Sequence, residues 1–125
     1  MKTLQKTLLI LLFESPYQHD SAEHAYEIAR AALRKGHKVN VFLMMDGVYS
    51  PIISQNAENL RMRAVSDKLS ELISMGARVT MCRVCAEVRG VVDEMLLEGV
   101  DVGGIYDLAD MVAESDVTIS FTGRN

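Results

Sequence analysis

The sequence predicts an α/β domain with a mostly parallel sheet and helices on both of its faces. Three observations carry this. Short, continuous apolar runs recur along the chain, as in strands buried on both faces. Segments with apolar residues at helical spacing separate them. The two kinds alternate as β-α-β-α-β-α-(β)-α-β, the order that builds parallel sheets from crossover connections.

The first strand is the run Thr7-Leu8-Leu9-Ile10-Leu11-Leu12-Phe13. A polar loop follows, from Glu14 to Asp20. Ser21 or Asp20 then caps a helix with Glu23 in its first turn. Ala22, Ala25, Tyr26, Ala29, Ala32 and Leu33 form its apolar stripe, and Gly36 ends it. Lys38 to Met45 reads as the second strand, ended by Asp46-Gly47. Exposed Val48 and Tyr49 are expected after it, as a site wall or a subunit contact. Beyond a loop broken by Pro51, the spacing predicts a second helix over 58–75. Its stripe is Met62, Val65, Leu69, Leu72 and Ile73. Ala77 to Cys82 is the third strand, followed by a short helical turn from Cys85 to Arg89 that stops at Gly90. Val91 to Leu97 reads as another short helix, and Val100-Asp101-Val102 as a short strand. A last amphipathic helix around Ile105, Leu108, Ala109 and Val112 precedes a final strand, Val117 to Phe121.

The 125 residues make one domain, spanning 1–125, large enough to fold without disulfides or metal. Lys2 and Lys6 before the first apolar run resemble the start of a signal peptide. The run is short, however, Glu14 follows it directly, and no small-x-small cleavage site comes next. A cytoplasmic protein without a membrane span is expected. The net charge of −4 disfavours a direct nucleic-acid surface.

In parallel sheets the working site lies beyond the carboxyl ends of the strands. Loops 14–20, 46–57 and 82–90 reach that edge. The strongest signal there is Cys82-Arg83-Val84-Cys85. A thiol where a strand hands over to a helix meets free backbone N–H groups, which favour its thiolate, and Arg83 and Arg89 are expected to add positive potential. The thiolate is both a nucleophile and a sulfur acceptor. Two buried cysteines acting as small hydrophobes remain an alternative. A thioredoxin-like reading is weak, because both prolines, Pro16 and Pro51, precede the cysteines. His19, His24 and His37 form no close-spaced ligand pair for zinc. No glycine-rich phosphate loop follows the first strand, so no nucleotide cofactor is expected.

With these residues in view, the chain resembles the DsrE/DsrF-like family, the DsrE and TusD branch most closely. The resemblance rests on the apolar first strand, Ser15-Pro16-Tyr17, the alanine-rich helix, Gly36-His37, Asp46-Gly47-Val48-Tyr49 and the segment Cys82 to Val91. It implies a three-layer α/β/α sandwich around a five-stranded, mostly parallel sheet, and a sulfur relay in which a cysteine accepts sulfane sulfur as a persulfide. In that branch the acceptor lies eight positions before the glycine of an Arg-Gly pair, here Cys82 before Gly90. Cys85 departs from the single-cysteine pattern and is similar to the second cysteine of YchN-like members, so it is a second or resolving thiol. Arg83, Arg89, Gly90, Pro16 and Tyr17 are the expected substrate-binding residues, with Ala86 and Gly90 leaving room for the donor. The implied partners are sulfur donor and acceptor proteins, within a trimer or hexamer of this chain or a hetero-oligomer with paralogues. No cofactor is implied. A non-catalytic binding or regulatory subunit and a Cys82–Cys85 redox switch are the competing readings.

Overall fold

The computed structural model describes residues 4–122. Five strands form one parallel sheet: β1 (Thr7–Leu12), β2 (Lys38–Leu43), β3 (Arg78–Cys82), β4 (Val100–Gly103) and β5 (Val117–Phe121). Their order is β4-β3-β2-β1-β5. The four helices are α1 (Ser21–Arg34), α2 (Val65–Ser74), α3 (Arg83–Val88) and α4 (Ile105–Glu114). The α/β class and the five-stranded parallel sheet are as the sequence and its resemblance imply.

The apolar run at the start of the chain is the strand flanked by β2 and β5. Its continuity follows from its position, since alternate residues face opposite layers. Ile10 and Leu12, beside Val41 and Leu43, pack on Ala22, Ala25 and Ala29 of α1 and on Val65, Leu69 and Leu72 of α2. Leu9 and Phe42 face the other layer, with Val48, Cys82, Cys85, Ala86, Val91 and Met111. Full burial of a Leu or Phe contributes about 1.5–3 kcal/mol, so these two layers carry most of the stabilisation.

Polar contacts join α1 to α2. The Tyr26 hydroxyl donates to Glu71 Oε2 at 2.6 Å, and Arg63 donates to Tyr26 Oη and Glu71 Oε1, each at 3.1 Å. The Tyr26 hydrogen bond, with Arg63 and Arg30 nearby, holds the Glu71 carboxyl below its usual range.

Two expected helices are shorter. The helix predicted over 58–75 begins only at Val65, after a 3₁₀ turn at Glu58–Leu60. Arg61 sits in the left-handed region (φ 53°) and Ala64 is extended, so the backbone cannot continue helically through them. Met62, expected in the stripe, is exposed. Val91 to Leu97 holds only a 3₁₀ turn, Asp93–Met95, because the chain runs extended there to bridge Leu96 to Ile52.

Candidate functional site

Cys82 ends β3 and immediately precedes α3, which starts at Arg83 rather than at Cys85. One helical turn later, Cys85 faces inward beside Ala86. Both cysteines are free and 7% exposed, and they share one buried apolar cluster. Burial is the largest influence on the Cys82 thiol and pushes it up, opposed by the backbone N–H groups of Cys85 and Val84. The balance keeps Cys82 above the usual thiol range, contrary to the expectation of an enriched thiolate. The physical reason is local. The helix is six residues long, no side-chain capping bond forms, and the thiol shares an apolar cluster with Val48 and Met81.

The two arginines part company. Arg83 is exposed and, among the described residues, pairs only with Glu87, at 3.9 Å, so it supplies surface charge rather than a contact to the thiols. Arg89 folds inward. Its Nε donates to Asp46 Oδ1 at 2.9 Å and its Nη1 to the Cys85 carbonyl at 3.2 Å. The Asp46 bond holds the guanidinium above its ordinary range, and the Cys85 side chain adds to the effect. One side chain thus ties the turn after β2 to the helix bearing the cysteines.

That turn is a 3₁₀ helix, Met45–Tyr49. Val48 is fully buried and Tyr49 half-buried, so neither is the exposed wall expected; the turn folds them back onto the sheet. Gly47 makes this approach feasible. A Cβ there would lie 2.1 Å from the Leu12 carbonyl oxygen, which already accepts the Met44 N–H at 3.0 Å.

Gly90 is exposed and left-handed (φ 71°), with nothing within 4 Å of where a Cβ would stand. Gly90 N–H donates to Glu87 O and Val91 N–H to Ala86 O, a Schellman motif that stops α3. Tyr17 serves the neighbouring loops. Its hydroxyl donates to Gln55 Oε1 at 2.5 Å and accepts the Val65 N–H at 3.0 Å. The amide of Gln55 in turn donates to Ser50 O and Ile52 O. Neither hydrogen bond of Tyr17 involves the cysteine segment. Pro16 is half-buried in the same loop.

Two site features escape sequence reasoning. The Asp46–Arg89 pair spans 43 residues and has no local signal. Glu14 is buried although it reads as the start of a polar loop; its one sequence cue is a carboxylate placed directly after a buried strand. Among the described residues, no group of three or more His, Cys, Asp or Glu converges to hold a metal.

The sequence pattern of the DsrE/DsrF-like family matches residues 6–121, nearly the whole chain. The chain belongs to the DsrE/DsrF-like family. An uncharacterised protein of Methanopyrus kandleri is 33% identical over 91% of this chain and 93% of its own length. DsrE of Allochromatium vinosum, provisionally named a sulfurtransferase, is 35% identical over 65% of this chain and 63% of its own. The crystal structure of Escherichia coli YchN superposes with a TM-score of 0.84 at 23% identity, covering 94% of this chain and all of that one. The fold is thus the one YchN has, and the DsrE/DsrF-like match spans the cysteine segment as well as the sheet.

Proposed function

We propose that this DsrE/DsrF-like chain is a sulfur carrier, with Cys82 as acceptor and Cys85 as the second or resolving thiol. One observation supports this above the others: two free cysteines share one buried cluster, at the carboxyl end of β3 and one helical turn beyond it, in a member of this family. The chemistry is nucleophilic. The Cys82 thiolate attacks the sulfane sulfur of a donor, forming an S–S bond to Cys82 while the donor's own bond to that sulfur breaks and its electron pair departs with the donor. Burial disfavours the thiolate before a donor arrives, which limits idle oxidation and makes loading depend on deprotonation. Arg89, fixed by Asp46 and bonded to the Cys85 carbonyl, holds α3 in place for the transfer. Arg83, exposed at the helix start, is assigned to docking donor or acceptor proteins. Gly90, with open space beside it, leaves room for their approach.

The carrier works in the cytoplasm, in a trimer or hexamer of itself or with paralogous subunits. Exposed apolar Val84 and Val88 on α3 and Ile105 and Tyr106 on α4 support an assembly that covers them. Intact-mass spectrometry after incubation of the reduced protein with polysulfide tests the carrier reading. A gain of about 32 Da per sulfur, reversed by reductant and lost in Cys82→Ser, is expected. Loading that persists in Cys82→Ser transfers the role to Cys85. The one-turn spacing of the two cysteines within one buried cluster favours one second reading, a reversible disulfide switch, which would appear as a loss of about 2 Da with no sulfur gained.

A further inference from the structure

Both cysteines are buried, and a thiol so enclosed meets a donor's sulfane sulfur only after part of its cover opens. The Met45–Tyr49 turn is placed to be that part. It lies against the end of β3, which bears Cys82, and against α3, which bears Cys85. Its Val48 is fully buried in the cluster that holds both cysteines. Two local costs are built into the closed turn. Met45 is left-handed (φ 49°), a conformation that a residue with a Cβ keeps only where its surroundings hold it. Ser50, which ends the turn, is fully buried, and its Oγ has no hydrogen-bond partner among the described residues. Against these costs stands a clasp from outside the turn. Arg89 Nε donates to Asp46 Oδ1 at 2.9 Å, and its Nη2 reaches Met45 Sδ at 4.0 Å. Both ends are anchored, since Met44 N–H donates to Leu12 O and the Gln55 amide donates to Ser50 O at 2.7 Å.

We propose that residues 45–50 form a lid over the cysteine pair, clasped shut by Arg89, and that lifting this lid admits the sulfur donor. The lid regulates the site of the carrier reading and rests on that reading for its donor; its opening involves no sulfur chemistry. When it lifts, Met45 returns to an ordinary φ and the Ser50 hydroxyl meets water, so both internal costs favour release. The clasp and the burial of Val48 oppose them. The helix α3 stays where it is. Arg89 keeps its bond to the Cys85 carbonyl, at 3.2 Å, while it lets go of Asp46. The closed lid shields the thiols from oxidants between transfers, and an opening of this kind is local, well short of global unfolding.

The test labels the thiols without using sulfur. Reduced protein is alkylated with iodoacetamide, an uncharged probe, and each cysteine is followed by peptide mass in graded urea below the unfolding transition. Lifting so short a segment exposes little surface. The labelling rate is therefore expected to stay flat in dilute urea and to climb only where global unfolding takes over. Asp46→Ala removes the acceptor of the clasp and should raise the flat rate about fivefold at both cysteines. Ser50→Ala removes the unpartnered hydroxyl, favours the closed lid and should lower that rate by about the same factor. Thermal unfolding checks that each variant is folded; if one is not, the other decides. Labelling that climbs with urea from the first addition, or a folded variant labelled at the wild-type rate, overturns the lid. Loading of the wild-type protein by polysulfide is scored separately. Clasp-sensitive labelling without sulfur loading keeps the lid and removes the carrier, while loading with clasp-insensitive labelling does the reverse.

Discussion

Replacing Gly47 by alanine isolates the contact that seats the Met45–Tyr49 turn on the end of β1. Its φ is not among the positive values, so the backbone itself would accept alanine. Elsewhere such a replacement stabilises by about 0.4–1 kcal/mol, through lost freedom of the unfolded chain. Here the added Cβ would stand 2.1 Å from Leu12 O and 3.0 Å from Leu12 C. Both are backbone atoms of the strand between β2 and β5, so no flexible side chain can yield. Relieving the overlap means moving the turn outward by about 1 Å, a core overpacking that costs about 1–3 kcal/mol. It also stretches the Met44 N–H bond to Leu12 O, worth about 1 kcal/mol. A net loss of about 3 kcal/mol is expected, which lowers Tm by about 10 °C in a domain of this size. Thermal and urea unfolding measure it directly. An unchanged or raised Tm would show that the turn does not rest on β1 through this contact.

Three further outcomes follow from the site. Because burial raises the Cys82 thiol, the rate of sulfur loading should climb about tenfold per pH unit from pH 6 to 8 with no plateau, as its thiolate fraction does; a plateau below pH 7, seen in stopped-flow mass analysis, would contradict the raised thiol. Arg89→Met removes the donors to Asp46 and to the Cys85 carbonyl, and should cost about 1 kcal/mol, discounted for the exposure of Asp46, in urea unfolding. Faster hydrogen exchange in α3 should accompany it. Tyr17→Phe removes the partner of the Val65 N–H and should cost about 1–2 kcal/mol in the same assay, while leaving sulfur loading by polysulfide at the wild-type rate.

Legibility followed the range of the interactions. The run from Thr7 to Leu12 and the alanine stripe of α1 are local patterns, and both became the elements they announce. The start of α2 is set instead by distant partners. Met62 continues the apolar spacing of Val65 and Leu69, so periodicity alone extends the helix backwards; the left-handed Arg61 and the Tyr17 hydroxyl on the Val65 N–H place its first turn later. The thiols show the same division. Their spacing predicts proximity, and they are close. Their chemical environment depends on Val48 and Met81 packing around them, which no spacing encodes. Arg83 and Arg89 have equal standing in the sequence, and the positions of Asp46 and the Cys85 carbonyl distinguish them.

The strand order β4-β3-β2-β1-β5 also governs the sequence of assembly. β1, β2 and β3 are neighbours in order of synthesis and can pair as they are made, each over a single crossover helix. β5 must instead return to β1 from the far end of the chain, where the Asp116 carboxylate accepts the Thr7 N–H at 2.8 Å across 109 positions. Closing so long a loop is entropically the most demanding pairing in the sheet. Until it closes, one backbone edge of β1 stands open to foreign strands. A nascent chain therefore faces its greatest aggregation hazard between the folding of β3 and the arrival of β5, and slowing translation of the last thirty or so residues should lengthen that exposure.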